Sequence, residues 1–253
     1  MRVFAIVHGL VALAWLVPTV LLADAAGAGP LGMVFVPVPG GSFEIGCGSW
    51  QSRCFDNEKP AHTQEVEPFL IGKYEVTQGQ WQAVMGSNPS RFSACGAECP
   101  VESVSWADVQ TFIEKLNARG EGSYRLPTEV EWEYACRSGG KPEKYCGGDE
   151  AGRVSWGEGS AGKTTHPVGG KAPNGLGIHD MSGNVFEWTC SDGGKYDDDG
   201  KNHTKCSAGG AARVIRGGGV FSAPTFVRTT YRISYDPGHQ FGGIGFRLVR
   251  ETP

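Results

Sequence analysis

At 253 residues the chain has room for one large domain or two small ones, and 40% hydrophobic, 20% charged and 10% aromatic residues are enough to bury a core. That composition excludes a disordered or fibrous protein, and a formal net charge of -4 argues against a nucleic-acid partner, which would call for a concentrated basic excess. The 39 glycines against 15 prolines demand tight turns and irregular loops in place of long helices.

Met1 and Arg2 precede an apolar run from Val3 to Leu22, followed by the small-residue cleavage sites Ala23-Asp24-Ala25 and Ala26-Gly27-Ala28. Residues 1–25 therefore read as a secretory signal peptide, and the mature chain as periplasmic or secreted with no membrane span after cleavage. A membrane anchor is the competing reading, since about 20 apolar residues can cross a bilayer; Pro18 and the two cleavage sites favour removal. Export permits disulfides, and the order of the eight cysteines suggests local pairs: Cys47 with Cys54, Cys95 with Cys99, Cys136 with Cys146, and Cys190 with Cys206. Zinc is disfavoured because three residues separate Cys95 from Cys99 and no matching histidine pair follows.

Met33 to Pro39 alternates, breaks at Gly40-Gly41 and resumes from Ser42 to Gly46, which predicts an opening hairpin. Glu65 to Tyr74 reads as a further extended segment. Thr77 and Gln80 have capping-box spacing, and Trp81, Val84 and Met85 share the inner face of a short helix that ends near Gly86. Ser105 caps a second helix with Trp106, Val109, Phe112, Ile113 and Leu116 on one side until Gly120 stops it. Thr128 and Glu131 cap a third, with Trp132, Ala135 and Cys136 facing inward. From Gly139 onward short strands alternate with glycines, and the acidic run Asp197, Asp198, Asp199 reads as a solvated loop. No repeat or linker divides residues 30–253, which read as one domain.

Several phrases stand in one order: Gly41-Ser42-Phe43-Glu44-Ile45-Gly46, Tyr74-Glu75-Val76-Thr77, Pro100-Val101 through Val104-Ser105-Trp106, and Arg125-Leu126-Pro127-Thr128-Glu129 through Tyr134-Ala135. Asn174-Gly175-Leu176-Gly177, Met181 through Trp188, Arg216-Gly217-Gly218 and Gly245-Phe246-Arg247 complete the series. Together they resemble the sulfatase-modifying-factor family, the formylglycine-generating-enzyme-like domain, over nearly the whole chain after the leader. The resemblance implies an α+β, irregular C-type-lectin-like fold with short antiparallel strands, about three short helices and many loops.

In that family, formylglycine-generating enzymes oxidise a cysteine of client sulfatases with oxygen and a copper ion held by two thiolates, a few residues beyond the Arg-Gly-Gly phrase. Here Gly219 to Arg228 contains no cysteine and none follows Cys206. Ser222 offers a hard, protonated oxygen in place of a soft ligand, so copper and that chemistry are not expected. Related iron-dependent sulfoxide synthases draw their iron ligands from an extra helical domain, whereas His62, His166, His179, His203 and His239 are scattered. The resemblance also implies a structural calcium ion held by Asp180, Gly183, Val185 and Glu187; the alternative is that Asp180 and Glu187 cap turns or pair with arginines.

Between the Arg-Gly-Gly and Gly-Phe-Arg phrases lie Phe221, Ser222, Thr225, Tyr235, His239, Gln240 and Phe241. Aromatic and small polar groups on rigid strands bury area at low entropy cost and make a recognition surface. Variable proteins made by diversity-generating retroelements are similar in this segment and place their ligand-binding residues there. The alternative puts Phe221, Phe226, Tyr231 and Phe241 in the core. Two functions follow as expectations: binding of a protein or other extracytoplasmic ligand through this surface, or an oxidoreductase of the same family acting on an exported protein.

Overall fold

The computed structural model describes residues 29–196, 203–206 and 209–252. The leader at residues 1–25 and the acidic run Asp197–Asp199 lie outside them. The architecture is α+β with short elements. Strands β1 (Phe35–Val38), β2 (Gly41–Ile45), β3 (His62–Val66) and β4 (Phe69–Gly72) lead to helices α1 (Gln78–Met85) and α2 (Trp106–Asn117). Strand β5 (Tyr124–Arg125), helices α3 (Glu129–Cys136) and α4 (Ala151–Val154), and strands β6 (Ser155–Trp156) and β7 (Ser182–Gly183) follow. Strands β8 (Phe186–Asp192), β9 (Arg213–Arg216), β10 (Arg232–Tyr235), β11 (Ile244–Gly245) and β12 (Val249–Arg250) complete the chain.

All three expected helix starts are capping boxes: Thr77 with Gln80, Ser105 with Asp108, and Thr128 with Glu131. The expected opening hairpin does not form. β1 pairs with β4 and β2 pairs with β3, all antiparallel. Pro37 lacks the N–H that a central strand needs, so β1 takes the edge of the sheet β1-β4-β12-β5 while the chain crosses at Pro39-Gly40 into a separate two-stranded ribbon. The second large sheet has the order β10-β9-β8-β11, with β11 parallel to β8. A one-turn helix, α4, adds to the three read from caps; four residues are too few to leave a periodic signal.

The inner face of α2 (Val109, Phe112, Ile113, Leu116) meets Trp81 of α1, with the Trp81 and Phe112 rings stacked at 5.2 Å and Phe246 edge-on to Phe112. A second cluster joins Val130, Trp132 and Ala135 of α3 to Phe43, Ile45, Ile71 and Met181. Between the elements runs an ionic skeleton. Glu129 accepts from Arg232 (2.6 Å) and Arg216 (3.2 Å), and His203 Nδ1 lies 2.9 Å from it. Glu133 pairs with Arg137 and Arg216, and Glu187 with Arg247, all fully buried. The four disulfides join the expected partners, and no described cysteine is free. Among the described residues no helix is long and apolar enough to cross a membrane.

Candidate functional site

The turn after β9 is built by glycine and serine. Gly218 has φ +75°, and a Cβ there would lie 2.5 Å from the Phe226 carbonyl oxygen, so only glycine lets the 224–226 turn fold back this closely. Ser222, expected on the recognition surface, is instead buried by the turn it closes; its Oγ accepts from Gly219 N–H at 3.0 Å and its carbonyl accepts from Glu158 N–H at 2.9 Å. That closed turn pushes Phe221 outward, 43% exposed. Phe241, at 48%, and Phe226, at 37%, are also open, leaving Val34 as the fourth exposed large apolar side chain among the described residues. The core alternative does not hold for these three phenylalanines, which are exposed, while Tyr231 is half-buried.

Sequence reasoning missed that the surface is composite. Phe55, directly after the Cys47–Cys54 loop, stacks on Phe226 (6.2 Å) and meets Tyr231 edge-on (5.8 Å); Tyr231 in turn approaches Phe186 (6.5 Å). Phe92, shortly before the Cys95–Cys99 loop, lies 6.1 Å from Phe221. Polar contacts fix both visitors. Glu58 receives both Arg228 Nη1 (2.9 Å) and Nη2 (2.5 Å) together with Thr230 Oγ1 (2.8 Å), and Asn57 Nδ2 donates to Arg232 O (2.9 Å). Phe92 N–H donates to Glu102 Oε1 (2.8 Å), a carboxyl that burial pushes above its ordinary value. The Glu58–Arg228 contact spans 170 residues of sequence, so no local pattern announces it.

The other expected surface residues divide. Thr225 is half-buried and its carbonyl accepts from Arg228 Nε. Tyr235 and His239 stack on each other at 4.3 Å, and Gln240 Nε2 donates to Asp108 Oδ2 at 2.8 Å. Gln240 thus ties the loop before β11 to the start of α2, while the Tyr235–His239 stack closes the loop on β10.

The expected calcium residues lie together in the interior. Asp180 and Gly183 both have positive φ (60° and 86°), which folds the loop on itself, and Asp180, Val185 and Glu187 are buried. Asp180 Oδ2 accepts from Gly169 N–H, while Oδ1 is buried with no partner. Glu187 Oε1 and Oε2 accept from Arg247, and Oε2 also from Trp132 Nε1; three donors leave one of about four lone-pair sites open. Burial, with Asp180 and Glu187 nearby, pushes the neighbouring Glu75 carboxyl well above its ordinary value. Among the described residues no three acidic, histidine or cysteine side chains gather as a metal site, so a hard cation here would rest on Asp180 Oδ1, the open Glu187 lone pair and backbone carbonyls.

A cleft of about 260 Å³ lies elsewhere, lined by Val34, Tyr74, Glu75, Gln80, Glu98 and Val168 among others. It includes none of the expected site residues.

The sulfatase-modifying factor enzyme 1-like domain matches residues 27–252. The chaperone protein LppX of Paenibacillus barcinonensis is 32% identical, over 85% of this chain and 88% of the relative. The formylglycine-generating enzyme of Streptomyces coelicolor is 30% identical, over 86% of this chain and 89% of its own. Treponema denticola variable protein 1 superimposes with a TM-score of 0.76 at 26% identity, over 87% of this chain and 95% of that one.

Proposed function

Because the chain belongs to the family of sulfatase-modifying factor enzyme 1-like domains, whose fold it shares, we propose that it is an exported, non-catalytic member that holds a polypeptide partner on the aromatic surface around Phe221 and Phe241. The observation that carries this reading is the composite surface itself: the open Phe226, braced by Phe55 and Tyr231, and the open Phe221, braced by Phe92, with two buried carboxylates holding these loops in place and the open Phe241 on the loop before β11. Such a preorganised aromatic patch loses little entropy on binding. Kinship to a protein named as a chaperone supports a partner that is held and not converted. The donor set supports it further. All eight cysteines are in disulfides, and Gly219–Arg228 carries only hydroxyl, guanidinium and apolar side chains, which do not fit a two-thiolate copper centre. Four disulfides are consistent with export. The test is the affinity of a short fluorescent peptide alternating phenylalanine with serine, measured against the wild type and the double variant Phe221→Ala/Phe241→Ala.

Calcium would be held by Asp180, Gly183, Val185 and Glu187, and would brace the loop and not react. Saturating calcium over chelator is expected to stabilise the fold by about 2.7 kcal/mol at a hundredfold excess over Kd. At about 2–4 °C per kcal/mol for a chain of this size, melting should rise several degrees. An identical melting curve with and without calcium would remove the ion from the account.

A further inference from the structure

We infer that the segment docking on this surface is acidic as well as apolar: an extended polypeptide whose aromatic or aliphatic side chains are interleaved with carboxylates. The inference rests on the binding reading above and specifies its partner. At one end of the patch the exposed Arg53 places its guanidinium 5.5 Å from the Phe55 ring centroid; at the other the exposed Arg91 places its own 5.4 Å from that of Phe92. The stem of Arg91 lies against Gly242, next to the open Phe241, where a Cβ would meet its Cδ at 2.5 Å. Both cations thus belong to the aromatic floor.

Neither guanidinium is in a direct ion pair among the described residues, although Arg91 acts from a distance on the buried Glu102. Of the carboxylates carried by the same loops, two are buried and used, while Asp56 and Glu98 stay exposed. Glu58 is used by Arg228, Asp56 lies 3.8 Å from Lys59, and Glu102 is buried beneath Phe92 N–H. A guanidinium resting on a ring keeps its N–H edge free for a bidentate carboxylate. A partner that covers the rings without supplying carboxylates would bury two unpaired charges, so the surface selects against neutral and basic segments.

The experiment compares three fluorescent peptides of equal length, in which phenylalanine alternates with glutamate, serine or lysine, by anisotropy at low and high salt. The glutamate peptide is expected to bind about tenfold more tightly than the serine peptide and to lose that advantage in high salt, where exposed charges are screened. The double variant Arg53→Gln/Arg91→Gln is expected to erase the difference, by weakening the glutamate peptide and by sparing the serine peptide two unpaired buried charges; a tenfold preference that survives the double variant would overturn the proposal. Equal or tighter binding of the lysine peptide would overturn the acidic partner and leave the binding reading standing. Failure of all three peptides to bind would overturn both. Sedimentation in parallel addresses a second copy as occupant: self-association that Phe221→Ala abolishes would place this chain on its own surface and overturn the proposal.

Discussion

Glu129→Gln is expected to destabilise the fold by about 3–5 kcal/mol at neutral pH, because it takes from the buried Arg232 its carboxylate and leaves the buried Arg216 with Glu133 alone. Glu129 starts α3, fully buried, and its carboxylate is shared by Arg232 and Arg216 with His203 beside it. The two arginines lie on the neighbouring strands β10 and β9, so one side chain joins the helix to the sheet that leads into the aromatic surface. Burial alone would raise this carboxyl; Arg232, His203 and Arg216 outweigh it and hold it well below the usual carboxylate range. A group whose folded value is depressed stabilises fully above its unfolded value, here about pH 4.5, and loses that contribution as pH falls toward the folded value. The gap between wild type and variant in urea unfolding should therefore be widest near neutrality and shrink below about pH 4.5. A difference under about 0.5 kcal/mol, constant with pH, would show that the ionic skeleton contributes nothing net.

Phe221→Ala/Phe241→Ala is expected to weaken the phenylalanine–serine peptide at least tenfold and to leave folding stability within about 0.5 kcal/mol. Aromatic anchors at the centre of an interface carry about 2 kcal/mol or more each, and about 1.4 kcal/mol is tenfold in affinity. Both rings are more than two-fifths exposed, so little folding energy is at stake in removing them. Unchanged affinity would move the site away from this surface. A loss matched by unfolding would mean that the two rings serve the fold.

Much of the frame was legible because its signals are local. Thr77, Ser105 and Thr128 each carry the partner three residues on that closes a capping box, and the four disulfides join neighbours in the cysteine order. The hairpin reading failed because alternation shows that β1 and β2 are strands without showing what they pair with. Pro37 was the available clue that β1 sits at an edge. The candidate surface was half legible. Phe221 and Phe241 follow from the Arg-Gly-Gly and Gly-Phe-Arg frame, whereas Phe55 and Phe92 arrive from loops more than a hundred residues away, held by buried polar contacts that leave no periodic trace. Asp180 and Glu187 were weighed between a cation and arginine pairing; Glu187 pairs with Arg247, and Asp180 Oδ1 is left without a partner.

The claim that the chain binds and does not oxidise is tested most directly by adding Cu(I) and a cysteine-bearing peptide to the disulfide-intact protein in air, then measuring retained copper and peptide aldehyde together. The expected result is no stoichiometric copper after gel filtration and no aldehyde above the protein-free control. One tightly held copper per chain with aldehyde accumulating over many turnovers would contradict it.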